Sequence, residues 1–189
     1  LVEAWVRPYR FPTASEAYFP IISKIDSTTH TMHYSMRLLP SGRLQFVVGN
    51  NAGASFSVTS DSALPLSRPN MLALDSTWTH VAAYFNRNSG VGNATVQFFI
   101  DGTAQTAQTI DSNLTMNTTN EYPTFIGYEP DTDTTVRSFI GEMRDLRFWN
   151  ATPGGAAAGS ANNLTQYIQG AATVHGANFS AAYGSSGNL

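Results

Sequence analysis

The sequence contains no cysteine, which excludes disulfide frameworks and thiolate metal sites. Charge is scarce as well: charged residues make up 12% of the chain, about half of the roughly 25% usual in soluble domains. Its polar surface must therefore be built mainly from Ser, Thr, Asn and Gln. The net charge is −3 with no basic run, so a nucleic-acid backbone finds no electrostatic footprint. No apolar stretch approaches the roughly 18 residues of a membrane-spanning helix. No helical period of useful length occurs before residue 150. The chain starts at "LVEAWVRP", without Met and already in a strand pattern. No signal peptide precedes it, so the expectation is a segment of a longer or processed polypeptide.

What remains is a strand-rich chain of 189 residues, enough for one domain with a sizeable core. Alternating or β-rich runs occur at 1–7, 19–25, 31–39, 43–48, 78–85, 94–100, 104–110, 123–128 and 138–149. Turn chemistry separates them: Pro-Ser-Gly at 40–42, Gly-Asn-Asn at 49–51, Asp101-Gly102. Many short strands so punctuated predict an all-β, antiparallel two-sheet sandwich. In "VQFFIDGTAQTAQTI", Val96, Phe98 and Ile100 fall on one face, and Asp101-Gly102 supplies the positive-φ positions of a tight hairpin. The expected core includes Trp5, Val81, Phe98, Ile100, Phe125, Ile126 and Leu146.

After Asn150 the composition turns to Gly, Ala, Ser and Asn. Residues 1–152 are read as the sandwich and 153–189 as an appended C-terminal arm. Within the arm, Ala161, Leu164, Tyr167 and Ile168 have the spacing for a turn or two of helix. Tyr167, Phe179 and Tyr183 give it apolar handholds that a pure linker lacks.

Three stretches, in order, resemble the laminin G-like branch of the concanavalin A-like lectin/glucanase superfamily. "VEAWVRP" resembles its early core strand. "STWTHVAAYFN…VQFFIDGT" resembles its central strand–hairpin pair, and "FIGEMRDLRFWN" a late strand ending in an aromatic–Asn step. The resemblance implies a jelly-roll sandwich and places a further strand before Val2, absent from this sequence. It implies sugar recognition, protein adhesion or a purely structural role, and the fold alone does not choose among them.

The last stretch poses an enzymatic question, because Glu142 and Asp145 lie on one strand. A retaining glycosidase needs two carboxyls on one face, about 5–5.5 Å apart, whereas strand residues three apart point to opposite faces. The apolar phase switches between Phe139, Gly141, Met143 and Leu146, Phe148, which predicts a β-bulge that would bring the two acids to one face. Arg144 and Arg147 would then stand beside them and hold them ionised, which is wrong for a general acid. The superfamily's glucanases carry a Glu-x-Asp-x-(x)-Glu strand; the glutamates here are 3, 16, 121, 129 and 142, and none fits. The pair reads as structural, and the protein as no enzyme. His30, His33, His80 and His175 do not cluster, and His80, in an apolar strand, reads as a hydrogen-bonded core residue.

Binding chemistry has three candidates. "EPDTDTT" places Glu129, Asp131 and Asp133 in one loop, oxygen ligands of the kind Ca²⁺ takes; the plainer reading is a solvated turn. "RPYRFPTASEAYFP" gathers Tyr9, Phe11 and Tyr18, with Tyr128 beside the acidic loop. Such rings stack on sugar C–H faces, or else cap the end of a sandwich. Six Asn-x-Ser/Thr sites, at Asn93, Asn113, Asn117, Asn150, Asn163 and Asn178, fall in loops or the tail, where N-linked glycans could stand. They would go unused in a bacterial or viral chain.

The leading expectation is a noncatalytic, extracellular or cell-surface module that recognises a glycan or a protein surface in adhesion. The alternative is a structural subunit of a filament, appendage or virion. There the sandwich is decoration and the tail or an open sheet edge is the contact with neighbouring copies.

Overall fold

Alternation gives the first strand two faces. In β1 (Val2–Pro8), Val2, Ala4 and Val6 enter the hydrophobic cluster. Glu3, Trp5 and Arg7 take the other face, as successive strand side chains must. The computed structural model describes residues 1–26, 28–29, 31–50, 53–65, 78–86, 94–110, 122–130 and 137–149. Among them are strands and turns but no helix, and none long and apolar enough to cross a membrane.

The remaining strands are β2 (Phe19–Ile25), β3 (Met32–Leu38), β4 (Arg43–Gly49), β5 (Ser55–Ala63), β6 (Thr79–Asn86) and β7 (Ala94–Ile100). Then come β8 (Thr103–Ala104), β9 (Gln108–Ile110), β10 (Thr124–Ile126), β11 (Tyr128–Glu129), β12 (Arg137–Ser138) and β13 (Gly141–Phe148). One antiparallel sheet has the order β13-β1-β6-β7-β8, with β9 also on β7, and the other β10-β2-β3-β4-β5; β11 and β12 form a separate ribbon. The predicted hairpin turn joins β7 to β8, with φ of 48° at Asp101 and 75° at Gly102.

Between the sheets lie Val2, Val6, Ile21, Met36, Leu44, Phe46, Val81, Phe98 and their neighbours. Phe46 and Phe85 stack there, ring centroids 6.0 Å apart. Each fully buried side chain of this size contributes about 1.5–3 kcal/mol. One flank is closed by polar contacts across the sheets. Gln105 Oε1 accepts the Ser62 amide at 3.0 Å, Asp61 Oδ2 accepts the Thr106 amide at 2.8 Å, and Gln108 Nε2 donates to the Thr59 carbonyl. On the other flank the Phe139 amide donates to Gly127 O at 2.8 Å, and the Gly127 amide to Ile21 O at 3.0 Å.

The expected core needs three corrections. Val81, Phe98 and Ile100 are in the cluster and Leu146 packs against it, but Trp5 is buried on the outer face of its sheet, edge-on to His80. Ile126 is 59% exposed, because β10 is a three-residue strand that, among the described residues, lies at the sheet edge with no strand beyond it. Phe125 is half-buried and tilts against Tyr128. A strand absent from the sequence reading, β5, completes the second sheet. The runs at 123–128 and 138–149 are each interrupted, the first at Gly127 (φ 65°) and the second at Phe139-Ile140. The tail from residue 150, including the piece 161–168, lies outside the described residues.

Candidate functional site

The outer face of the first sheet is organised as rungs across β13, β1 and β6. Glu142 pairs with Arg7, and Arg7 lies over the ring of Trp78, at 5.3 Å. On the next rung Arg144 pairs with Trp5, which faces His80. Arg147 pairs with Glu3, which faces Ala82. The rungs stay aligned because β13 carries an extra residue. The register slips between Glu3 and Trp5, and Asp145 takes φ of 51°, the signature of a bulge. The phase switch in the sequence therefore marks a real bulge. Without it, Arg144 and Arg147 would fall on opposite faces.

Two acid–base side chains from the other two rungs are buried. Glu3 and His80 are at most 1% exposed. Glu3 Oε2 is 3.2 Å from His80 Nε2, and its Oε1 accepts Trp149 Nε1–H at 3.0 Å. His80 is thus a hydrogen-bonded buried residue, though outside the inter-sheet cluster.

The upper rung reaches the surface. Tyr9, just past β1, is 51% exposed. Its amide donates to Ile140 O at 3.0 Å, and its phenol donates to Glu142 Oε1 at 2.7 Å. Arg7 Nη2 reaches both Glu142 oxygens, at 2.6 Å and 2.5 Å. Hydrogen bonds from Tyr9 and then Arg7 hold the Glu142 carboxyl below the usual carboxylate range, which keeps it an acceptor and unsuits it to general-acid work. Above it the exposed Arg144 places its guanidinium 4.1 Å from the centre of the Trp78 ring. The arrangement is a fixed aromatic edge beside a carboxylate and two guanidiniums, suited to binding a polyhydroxylated ligand by stacking and hydrogen bonds.

A second polar cluster lies beneath the β11–β12 ribbon. Glu129 is 3% exposed. Its Oε1 accepts the Tyr18 phenol at 2.5 Å and Arg37 Nη2 at 2.8 Å, and its Oε2 accepts Ser35 Oγ at 3.1 Å. The Tyr18 ring lies between two guanidiniums, Arg37 at 3.9 Å and Arg137 at 4.4 Å. Burial pushes its phenol up, against the pull of Arg37, so it stays a donor to Glu129. Ser23 Oγ donates to Tyr128 O at 3.1 Å, which completes the attachment of the ribbon to the second sheet.

The sequence candidates are therefore dispersed. Tyr9 joins Glu142, while Tyr18 is drawn into the Glu129 cluster. Phe11 packs against the core and fills the space where a side chain on Gly42 would stand, with Phe11 Cε2 2.4 Å from an ideal Cβ. Tyr128 is half-buried in the ribbon. Glu129 sits on a strand instead of a solvated loop, with both oxygens taken by protein donors. Asp131 and Asp133 lie outside the described residues, as do Asn93, Asn113, Asn117, Asn150, Asn163 and Asn178. Among the described residues no group of three His, Cys, Asp or Glu could hold a metal ion. The sequence reading missed Trp78, Arg7 and Arg144 as one surface. Plain alternation from Trp5 and the predicted bulge were the signals that could have found it.

No curated protein matches the chain in sequence. Among solved structures, the CBM40 domain of a Ruminococcus gnavus IT-sialidase superposes with a TM-score of 0.54 at 12% identity, covering 77% of this chain and 73% of that one. The same domain bound to α2,6 sialyllactose also gives 0.54 at 12% identity, covering 77% and 74%. Domains LG4-5 of the mouse laminin α1 chain give 0.45 at 16% identity, covering 77% of this chain and 34% of that one. A family model described as the concanavalin A-like lectin/glucanases superfamily matches residues 2–158. With the two-sheet antiparallel sandwich, that match assigns the chain: it belongs to the concanavalin A-like lectin/glucanases superfamily, in its laminin G branch.

Proposed function

We propose that this sandwich is a noncatalytic extracellular recognition module that binds a glycan on the outer face of its first sheet, in the service of adhesion. The observation that carries the reading is Tyr9. It is a half-exposed ring pinned through its phenol to Glu142, the carboxylate that also holds Arg7. A ring already fixed in place loses little freedom on stacking against a sugar, and preorganisation of this kind is what raises affinity. A glycan-binding relative of the same fold, the sialyllactose-bound CBM40 domain, is in keeping with this use of the sandwich.

The absence of catalysis belongs to the same reading. Glu142 is committed to Arg7 and Tyr9, and Glu129 and Glu3 are buried in structural clusters. Glycosylation at the Asn-x-Ser/Thr sites would fit an extracellular setting.

The assembly alternative finds less support. β13, the edge strand beside β1, carries a bulge at Asp145 and charged side chains, and both features discourage strand addition. A glycan array probed with the purified chain, alongside its sedimentation behaviour, separates the two. A monomer that retains a defined set of glycans supports the module. A chain silent on the array that forms ordered oligomers overturns it.

A further inference from the structure

Three of the four large apolar side chains that stay exposed among the described residues gather on one flank of the sandwich. Tyr9 is 51% exposed, Ile140 37% and Ile126 59%, while Phe148 lies at the far end of β13. Backbone bonds tie the three segments together. The Tyr9 amide donates to Ile140 O at 3.0 Å, and the amide of Phe139, next to Ile140, donates to the carbonyl of Gly127, next to Ile126, at 2.8 Å. Ile126 is fixed from behind by its pairing with Ile22 and by the bond from the Gly127 amide to Ile21 O. The order along the flank is therefore one tyrosine and then two aliphatic side chains, each on backbone held by its neighbours. Beside Tyr9 the charges of Arg7 and Glu142 offset one another in an ion pair.

Size and composition decide what such a row can hold. Three partly exposed side chains offer roughly a few hundred Å², well short of the roughly 800 Å² per partner of a stable protein–protein interface. A second copy of the chain is therefore a poor fit. Isoleucine has neither a π face nor a polar atom, and it gains from a ligand only by sheltering apolar surface from water. A hydroxyl-rich sugar supplies little of that, and hydrocarbon supplies it fully. Tyrosine suits the boundary between the two, with an apolar body and a wet end. Resting on the reading of Tyr9 as the sugar platform, we infer that the partner is a neutral glycolipid in a membrane surface. Its sugar headgroup lies on Tyr9, and Ile140 and Ile126 enter the acyl boundary beneath the headgroups. The module thereby recognises the sugar together with the membrane that carries it.

The test compares one sugar in two settings. Phosphatidylcholine vesicles carrying glucosylceramide, lactosylceramide or a lipid-linked form of the best-retained array glycan are titrated with the full chain. The same glycans free in solution and plain phosphatidylcholine vesicles are run beside them. The expected result is binding to the matching glycolipid vesicles about tenfold or more tighter than to the free glycan, because affinity rises with the apolar area sheltered in the interface. It should be nearly independent of added salt, because no ion pair is screened. The double variant I126S, I140S should lose that gain while keeping its affinity for the free glycan and its melting temperature. I126S alone, at the more exposed position, should lose part of it. Equal affinity for free and vesicle-borne glycan, a gain that survives in the double variant, or equal binding to plain vesicles overturns the inference and leaves the glycan site standing. Binding to neither free glycan nor glycolipid vesicles overturns the glycan reading itself, and the inference with it.

Discussion

Replacing Glu129 by Ala removes the acceptor that ties the β11–β12 ribbon to the second sheet. Three donors lose a partner at once: Arg37 at 2.8 Å, the Tyr18 phenol at 2.5 Å and Ser35 Oγ at 3.1 Å. The Glu129 and Arg37 side chains are only 4% and 13% exposed, so water does not readily replace the missing carboxylate. Breaking one side of a buried pair costs about 3–5 kcal/mol, a large share of a total stability of about 5–15 kcal/mol. At roughly 2–4 °C per kcal/mol for a chain of this size, the melting temperature should fall by about 6–20 °C. Urea unfolding should show the same loss as a lower midpoint with an unchanged slope. Glu129→Gln, which keeps one acceptor oxygen, enough for Tyr18 and Arg37 but not also for Ser35, should lose less. Replacing Arg37 by Met in the Glu129→Ala background should recover part of the loss, since the uncompensated buried charge is then gone. A Glu129→Ala variant within about 1 kcal/mol of the wild type would mean that the cluster is hydrated and does not anchor the ribbon.

Other consequences follow from the same structure. Glu16 accepts from Arg10 and from the Thr13 amide, and these bonds lower its carboxyl to about 2. Because the folded value is depressed, the contact's stabilisation is present above the ordinary carboxylate range and is lost only as pH falls toward about 2. Carboxyl NMR titration of Glu16 checks this, and an ordinary midpoint would refute it. At Gly49 an added Cβ would stand 1.6 Å from Met32 O, so Gly49→Ala should separate the start of β3 from the end of β4. The expected cost is about 1–3 kcal/mol, read by urea denaturation. Calcium held by Asp131 and Asp133 would raise the melting temperature, with the gain removed by chelator and absent in a Asp131→Asn, Asp133→Asn variant; no shift with calcium removes the idea.

Much of the frame is legible in the sequence where the signal is local. The Asp101-Gly102 hairpin and the bulge in β13 follow from turn chemistry and from an apolar phase switch, and both are present. The second sheet's last strand is not so readable. β5 runs "SFSVTSDSA", and its inward positions Val58 and Ser60 alternate with Ser and Thr, so composition disguises it as loop. Long-range pairing is invisible for the same reason. Glu129 stands two residues from Asp131 and reads as part of an acidic loop, whereas its partner Arg37 lies 92 residues away. Trp5 illustrates a subtler limit: alternation assigns it a face, but it cannot say that this outer face is itself buried. Once β1, β6 and β13 are known to be adjacent, the rungs Glu142–Arg7–Trp78 and Arg144–Trp5–His80 could be written from the sequence.

The central claim is that Tyr9 and its neighbours form the ligand surface. Its most direct test is the affinity of wild type, Tyr9→Phe and Tyr9→Ala for a glycan that the wild type retains, measured by titration calorimetry with melting temperatures in parallel. The account predicts that Tyr9→Ala melts like the wild type but binds about tenfold or more weakly, a loss of at least ~1.4 kcal/mol, while Tyr9→Phe, which keeps the ring, loses less. Equal affinity in all three proteins would contradict the account and place recognition elsewhere on the sandwich.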